Sequence, residues 1–394
     1  MGKQSRRKHE KDDGLRAANA YFRRIGLPTR PEGGAYRRLA AADPGWWRGV
    51  SETEDGAPEM YALLYRDLDT ALAEYAARPV AIAHPWLRWW SGHHPPATRL
   101  LDAGCGPGVL TCAYALALPD AEVVGIDAVP EAVACAQQLA DKVGAGNASF
   151  VVADLAAPPD EEFDQVVAVT ALGDAGVYPH EGGDPFSSVA EVNGPGREFT
   201  SPAVAALAER LSPEGHVLVF DRTPYAVQGM WLGSALVHAG FELDLAASGT
   251  ESVMEDGETR TFTRFCGRRG GEQPPAALTA ELAAWLRGVK PPAFGAVWHD
   301  ELRLEKLKAA GAELVWAAEI NYAPYSPAIE RREVWAQGGD AYGWVTTSVG
   351  LRQLTRGRTV DAMVAEFATY TRELAGSGVR VRPYARNAET PGSR

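Results

Sequence analysis

The sequence predicts a doubly wound, mainly parallel α/β sheet of seven strands, preceded by a helical segment and followed by an α+β appendage. Three observations predict this fold class. Short apolar runs alternate with helical patterns over residues 99–221, which is typical of a parallel sheet covered by helices on both faces. The first of these runs ends in a glycine-rich turn. The run "GRRGGEQPP" then separates the sheet from a region with a different pattern.

Residues 14–97 are predicted to form an N-terminal helical lid, because apolar residues recur there at three- and four-residue spacing. Met60, Leu63, Leu64 and Leu68 form one such stripe. The charged residues 1–13 that precede the lid are predicted to be a disordered, solvated tail.

The core is predicted over residues 98–270. Its five parallel strands lie in the runs "RLLDAG", "EVVGID", "ASFVVAD", "FDQVVAVTAL" and "HVLVFD". Helices lie between them, and the helix before the fifth strand has Ser201 as a predicted N-cap and Pro202 at its first position. After a helix in "MWLGSALVHAG", the runs "FELDLAA" and "TRTFTRFCG" are predicted to complete the sheet as two strands separated by a polar loop at 251–258.

Residues 276–394 are predicted to form the α+β appendage, a domain for substrate binding or oligomerisation. Helices are predicted at 278–286 and 360–374, with strands between them in "AELVWAAEINYA", "REVWAQG" and "AYGWVTTSV". The last two strands are predicted to form a hairpin around Gly338, Gly339 and Asp340.

Composition excludes several classes of function. The 394 residues carry a formal net charge of -12, which argues against a nucleic-acid partner. No apolar run is long enough for a transmembrane helix, and the N-terminus lacks the apolar region of a secretory signal, so we expect a cytoplasmic protein without a membrane partner. The four cysteines show neither a C-x-x-C pair nor zinc-type spacing, so we predict reduced thiols and no metal.

The loop "DAGCGPG", residues 102–108, lies where the first predicted strand ends and a helix begins. Ligands of open α/β sheets bind at the carboxyl ends of the strands, and glycines there let the chain turn sharply and let a ligand approach. A nicotinamide dinucleotide site would have the spacing G-x-G-x-x-G, but Val109 stands at the place of the third glycine. The spacing here is G-x-G-x-G.

Three aspartates, Asp102, Asp127 and Asp154, follow successive predicted strands around this loop. Asp127 comes about 20 residues after the glycines, where a carboxylate can accept both hydroxyls of a ribose. Asp154 is placed to accept a hydrogen bond from an adenine amino group. One aspartate at a strand end would commonly be a helix cap, whereas three around one glycine loop favour a binding site.

Together, the glycine loop and the aspartates resemble the class I S-adenosylmethionine (SAM)-dependent methyltransferases over residues 100–267. The resemblance implies a Rossmann-like core with SAM as cofactor. It implies that the loop lies beneath the methionine part, that Asp127 holds the ribose, and that Asp154 and Leu155 frame the adenine. The cofactor-binding residues that it implies are Tyr61, Tyr65, Asp102, Gly104, Cys105, Gly106, Asp127, Ala128, Asp154, Leu155 and Thr170.

Two of these assignments keep an alternative. Tyr61 and Tyr65, one helical turn apart, are placed like tyrosines that some family members fold over the cofactor. They are equally typical of aromatic residues that pack a helix onto a sheet. Val129, beside Ala128, is expected against the adenine.

Catalysis is predicted at the exit of the fourth strand, in "TALGDAGVYPHEGGDPF", with Thr170 near the methyl group. His180 is the predicted base and Asp174 a second catalytic residue, although a loop histidine is commonly only solvated. The stretch lacks the NPPY-type tetrapeptide associated with amino-group methylation of bases and amides. Predicted substrate-binding residues are Tyr178, Glu181, Asp221 and Arg222, the last two having a salt-bridged surface turn as the alternative.

The sequence therefore predicts SAM-dependent methyl transfer to an oxygen or nitrogen of a small-molecule or peptide acceptor, such as a specialised metabolite. The large fraction of the chain outside the core favours this reading, because it can build a lid and a pocket. One alternative is a protein side-chain or carboxyl methyltransferase that uses residues 276–394 for docking. Another is a SAM-binding module without methyl transfer. A homodimer is considered as the assembly.

Overall fold

The computed structural model divides the chain into two units, which are described separately here. Among the described residues, the first unit holds those up to 175, 200–222 and 233–278, and the second holds 223–232 and those from 279 onward. The structure describes residues 3–32, 34–53, 58–173, 175, 200–223, 225–255, 258–270, 274–288, 300–323, 328–348, 351–357 and 359–384.

Helices fill the described part of the chain before the sheet. The first, α1, begins at Lys3, inside the segment 1–13 that the sequence predicts to be a disordered tail. Lysine, glutamine, arginine and glutamate are good helix formers, which favours the longer helix. Asp43 and Asp67 cap α3 and α5 by accepting from the backbone N–H of Trp46 and Thr70. The bounds are α1 Lys3–Ile25, α2 Ala35–Ala42, α3 Pro44–Glu52, α4 Pro58–Leu64, α5 Leu68–Ala77 and α6 Val80–Trp90.

The sheet of the first unit has the strand order β3-β2-β1-β4-β5-β8-β6, and β7 pairs with β8. The pairs among β1 to β5 are parallel, and β8 is antiparallel to β5, so the predicted mixed Rossmann-like sheet is confirmed. The strands are β1 Arg99–Ala103, β2 Glu122–Asp127, β3 Ala148–Val152, β4 Phe163–Val169, β5 Leu211–Arg222, β6 Phe241–Leu243, β7 Gly249–Glu255 and β8 Glu258–Arg269.

The closing strands differ from the prediction in one respect. Most of the segment 251–258, predicted as a polar loop, belongs to strand β7. Its side chains alternate between the two faces: Val253 is buried, whereas Met254 is 56% exposed. One edge of β8 pairs with β5 and the other with β6 and β7 in succession. The eight strands therefore occupy seven positions.

Helices connect the strands and bury their apolar faces. In α9, Ser201 Oγ accepts from Val204 N and Pro202 takes the first position, as predicted. Strand residues Leu100, Val123 and Val167 are fully buried in a core shared with side chains of the N-terminal helices. The helices that connect the strands are α7 Val109–Ala117, α8 Pro130–Val143, α9 Pro202–Glu209 and α10 Ala226–His238.

The second unit contains an antiparallel sheet of order β12-β11-β10-β9-β13. The predicted hairpin is confirmed, since Gln337 pairs with Asp340 across Gly338 and Gly339. The helix α12 and the strands β12 and β13 were not predicted. The elements are α11 Pro275–Gly288, α12 Asp300–Ala309, β9 Glu313–Asn321, β10 Ile329–Gln337, β11 Asp340–Thr347, β12 Arg352–Gly357, α13 Val360–Gly376 and β13 Arg380–Pro383.

Two sequence expectations concern membrane-spanning helices and the state of the cysteines. In the described ranges, no helix has the length and apolar character needed to cross a bilayer. The cysteines Cys105, Cys112, Cys135 and Cys266 are free and buried. Burial raises the pKa of each of these thiols, so they are protonated and unreactive near neutral pH.

Candidate functional site

The glycine loop adopts a backbone that favours glycine at every second position. The φ angles of Gly104, Gly106 and Gly108 are +78°, +51° and +76°, all in the left-handed region. The N–H groups of Gly104 and Cys105 both donate to the carbonyl of Ile126, at 2.9 and 2.8 Å. The loop is thereby tied to the end of β2, beside Asp127.

These glycines differ in what a side chain would meet. A Cβ at Gly104 would lie 2.4 Å from the Cβ of Ala171, and one at Gly108 would lie 2.6 Å from the Cβ of Ala136. At Gly106 the nearest atom would be the hydroxyl of Tyr65, 3.8 Å away. Close packing explains Gly104 and Gly108, whereas a Cβ at Gly106 would only reach ordinary van der Waals contact with the hydroxyl of Tyr65.

Asp127 joins the second strand to Gly106. Its Oδ2 accepts from the backbone N–H of Gly106 at 2.8 Å, and its Oδ1 accepts from Val129 N at 2.9 Å. Burial raises the pKa of the carboxyl. Each oxygen keeps a second lone pair, so the carboxylate can still accept from ligand hydroxyls. Its assignment to the ribose stays a prediction, and so does contact of the neighbouring exposed Ala128 with the adenine.

Asp102 lies in β1, directly before the loop glycines, and is only 2% exposed. Its Oδ2 accepts from the hydroxyl of Thr111, on α7, at 2.5 Å. Burial raises the pKa of Asp102 to about 7, with the charge of Asp127 acting in the same direction. The observed contact of Asp102 is therefore with the first turns of α7.

Asp154 and Leu155 follow β3 at the same edge of the sheet. Ala153 N donates to the carbonyl of Asp127 at 3.0 Å, which places this segment beside the end of β2. Asp154 is exposed and its Oδ1 accepts from Ala156 N at 2.7 Å, while Leu155 is half-buried. The predicted framing of an adenine remains untested by these contacts.

Tyr61 lies within α4 and Tyr65 directly follows it, and their rings are stacked with 6.1 Å between centroids and 20° between planes. Both pack against the buried cluster of Trp46, Val50, Met60 and Leu64. Burial, followed by nearby acidic groups that include Asp127, raises the pKa of Tyr65, so its phenol is a neutral donor. The Cys135 thiol donates to the carbonyl of Tyr65 at 3.1 Å, which fastens α4 to α8. These contacts are therefore compatible with both interpretations of the pair, as tyrosines that fold over the cofactor and as tyrosines that pack a helix onto the sheet.

Thr170, directly after β4, has a φ angle of +55°. Among the non-glycine residues that the structure describes, it alone is in the left-handed region. Its N–H donates to Phe220 O at 2.9 Å, and its hydroxyl donates to Val169 O at 2.7 Å. Strained backbone of this kind costs about 1–3 kcal/mol and is concentrated at functional sites.

Asp221, near the end of β5, is 3% exposed, so it does not lie in a surface turn as the alternative of a salt-bridged surface turn requires. Its Oδ2 accepts from Leu172 N and Gly173 N at 3.0 and 2.9 Å, and its Oδ1 accepts from Arg222 N at 2.7 Å. The guanidinium of Arg222 lies 5.9 Å from the centre of the Phe262 ring. Substrate binding by Asp221 and Arg222 stays a prediction.

The remaining predicted residues, Asp174, Tyr178, His180 and Glu181, lie outside the described residues. Within the part that the structure describes, histidine, cysteine, aspartate and glutamate form no group able to hold a metal ion.

Sequence reasoning missed three residues that shape the site. Thr111 binds Asp102, Ala171 packs against Gly104, and Cys135 binds the backbone of Tyr65. The last two contacts join residues more than 60 positions apart, so spacing in the sequence carries no signal for them.

Comparison with known proteins gives matches in the same region. Residues 94–192 match a family model described as a methyltransferase domain. Ribosomal protein L11 methyltransferase of Aeromonas salmonicida is 30% identical over 149 residues, which is 37% of this chain and 47% of that protein. Magnesium-protoporphyrin O-methyltransferase of Rhodobacter capsulatus is 39% identical over 74 residues, 19% of this chain and 32% of that protein.

This chain spans about half the length of the first of these relatives, and less of the second. Among solved structures, the O-methyltransferase of a trans-AT PKS multienzyme from Brevibacillus brevis, in complex with S-adenosyl-L-homocysteine, has a TM-score of 0.40 at 11% identity. That alignment covers 62% of this chain and 91% of the other. The chain carries a class I SAM-dependent methyltransferase domain.

Proposed function

We propose that this protein transfers the methyl group of SAM to a small-molecule or peptide acceptor. The observation that carries the proposal is the pairing of Gly106 with Asp127. The Asp127 carboxylate accepts the N–H of Gly106 through one oxygen, and both of its oxygens keep lone pairs for ligand hydroxyls.

These residues fit the cofactor. A Cβ at position 106 would fill part of the space beneath Tyr65, and Asp127 suits a ribose with two adjacent hydroxyls. Tyr65, whose hydroxyl lies near Gly106, would border the ligand beside the loop. When bound, SAM supplies a methyl group on a sulfonium centre, which is already activated for displacement.

The contribution of the chain is then mainly to orient the two reactants and to exclude water. Thr170 to Gly173 offer a wall of fixed backbone next to Gly104. An acceptor with a high pKa would also need a base, for which His180 and Asp174 remain the proposed residues. A limb of the pH–rate profile near pH 6–7 that disappears in His180→Ala would identify a histidine base.

A small acceptor is favoured by the position of Tyr65, whose hydroxyl lies near Gly106 and whose ring stacks on that of Tyr61, since aromatic side chains beside the loop would restrict the access of a folded protein. The net charge of -12 argues against nucleic acid as the acceptor. The match to magnesium-protoporphyrin O-methyltransferase is compatible with a small acceptor.

Protein methylation is the second candidate. It is supported by the 30% identity to ribosomal protein L11 methyltransferase over 149 residues. Residues 276–394 would then serve for docking.

Cofactor binding is tested by titrating the protein with S-adenosylhomocysteine and, separately, with NAD in a calorimeter. We expect binding of the first ligand alone. Asp127→Ala should weaken it by at least about tenfold, because a hydrogen bond to a charged group contributes about 1.5–3 kcal/mol. Asp141→Ala, which changes an exposed aspartate of α8, is the matched control and should bind as the wild type does. Normal binding by Asp127→Ala would contradict the ribose assignment.

The acceptor is tested with methyl-labelled SAM and a panel of phenols, carboxylic acids, amines and short peptides, in parallel with a size-fractionated lysate. Label in small-molecule fractions supports the first proposal, and label in protein bands supports the second. Binding of S-adenosylhomocysteine without any transfer of label would favour a SAM-binding module and contradict both.

A further inference from the structure

We propose that Asp221 is a positioning residue of the methyl-transfer site, acting through the backbone of Leu172 and Gly173. The inference rests on the proposed function. It assigns to Asp221 a task other than direct contact with the acceptor.

The hydrogen bonds of Asp221 support this task. The carboxylate is 3% exposed and accepts from three backbone N–H groups, two of which belong to the chain that leaves β4. Leu172 and Gly173 are 49 and 48 residues away in sequence, so the contact links the ends of two neighbouring parallel strands. Charged acceptors make stronger hydrogen bonds to N–H groups than neutral ones, which suits the task of fixing a turn.

The fixed segment borders the cofactor loop. Ala171, directly before Leu172, lies so near Gly104 that its Cβ would be 2.4 Å from a Cβ at that position. Thr170, one residue earlier, holds its left-handed backbone only if neighbouring bonds compensate the strain. Asp221 supplies two such bonds to the residues that follow. Movement of Leu172 and Gly173 would therefore displace the wall formed by Thr170 and Ala171 beside the loop.

The test compares Asp221→Asn with Asp164→Asn. The substitution keeps the size of the side chain but removes its charge and one of its two acceptor atoms. Asp164 is a matched control, because its carboxylate also accepts backbone N–H bonds, from Thr98 and Arg99, at the opposite end of β4. For each protein we would measure hydrogen exchange of the amides of Leu172 and Gly173, the affinity for S-adenosylhomocysteine, and kcat and KM for the best acceptor of the panel.

For Asp221→Asn we expect the rates of amide hydrogen exchange at Leu172 and Gly173 to rise about tenfold or more. Loss of a hydrogen bond to a charged acceptor should make local opening of this segment more frequent by that factor. We expect kcat to fall by a similar factor, while the affinity for S-adenosylhomocysteine and the KM for the acceptor stay within about twofold. Asp164→Asn should change neither kcat nor exchange at these two amides.

Unchanged exchange in Asp221→Asn would overturn the proposal, and so would a loss of S-adenosylhomocysteine affinity as large as the loss of kcat. A raised acceptor KM with unchanged kcat would indicate direct substrate binding and would also overturn it. Should Asp221→Asn not fold, Asp221→Glu keeps the charge, and failure of both to fold would make the residue a folding determinant only. A wild-type protein that binds no S-adenosylhomocysteine would refute the proposed function, with exchange at Leu172 and Gly173 still deciding whether Asp221 holds this segment.

Discussion

Replacing Asp102 by asparagine should remove a large part of the pH dependence of the free energy of unfolding. Burial raises the pKa of Asp102 from 3.8 to about 7, so between these values the folded protein keeps a proton that the unfolded chain has lost. The folded state is therefore favoured most below about pH 4, and this contribution is lost as the pH rises to about 7. At about 1.4 kcal/mol per pH unit, the full loss is about 4 kcal/mol.

Asparagine does not ionise and can still accept a hydrogen bond from the hydroxyl of Thr111. The comparison with wild type therefore isolates the ionisation of Asp102. Chemical unfolding at about pH 5 and about pH 8 should show the stability of Asp102→Asn, relative to wild type, rising by about 3 kcal/mol between the two conditions. Taking this difference cancels the contributions of other titrating groups, such as Glu301, whose pKa burial raises to about 8.

Asp164→Asn is the control of opposite sign. Hydrogen bonds from Thr98 and Arg99 lower the pKa of Asp164, so its contribution is present above the pKa of the unfolded chain and is lost as the pH falls. This variant should be less stable than wild type near neutral pH, and the difference should shrink on acidification. A stability difference for Asp102→Asn that does not change with pH would refute the reasoning for a raised pKa.

Two further predictions follow from the same structure. Gly106→Ala and Gly108→Ala both force alanine into a left-handed backbone at a cost of about 1–2 kcal/mol, but only the Cβ at position 108 meets an obstacle, Ala136 at 2.6 Å. Thermal melting and calorimetry should show Gly108→Ala strongly destabilised and Gly106→Ala mainly defective in binding S-adenosylhomocysteine; equal melting temperatures would contradict this. A chain ending at Gly270 would keep residues 223–232 but lose the rest of the second unit, to which they belong. The buried side chains of Val227, Met230 and Trp231 would then lose neighbours of that unit, so we expect the truncated chain to be poorly soluble. A soluble monomer of this truncated chain, seen by size exclusion, would contradict that expectation.

The core could be predicted from the sequence because buried parallel strands are continuous apolar runs that alternate with helices. The sequence predicts a loop where the structure has the polar strand β7, because the residues of this strand include few apolar side chains, Val253 and Met254 among Thr250, Glu251, Ser252 and Glu255. The same applies to β12, whose sequence "RQLTRG" contains a single apolar residue. In the second unit, α12 is rich in charged residues, and its apolar stripe is too narrow to distinguish it from a solvated segment.

For the site, the spacing of Asp127 from the glycine loop predicted a pair of residues that the structure joins by a hydrogen bond. The individual purposes of the glycines could not be predicted, because each depends on a residue from another element. Ala171 and Ala136 occupy the positions that side chains at Gly104 and Gly108 would need.

The glycines of the loop are alike in the sequence motif, but the structure gives them different surroundings. Gly104 and Gly108 serve close packing, so a substitution there acts first on the fold and only indirectly on a ligand. A Cβ at Gly106 would contact only the hydroxyl of Tyr65, at 3.8 Å, so a substitution there disturbs the packing less than one at Gly104 or Gly108. Loss of cofactor binding by a Gly104 variant is therefore weak evidence that position 104 touches the cofactor, because displacement of Ala171 would disturb the segment held by Asp221. Variants of Gly106 and Asp127, measured with folding controls, therefore test the predicted cofactor contacts more directly than variants of Gly104 do.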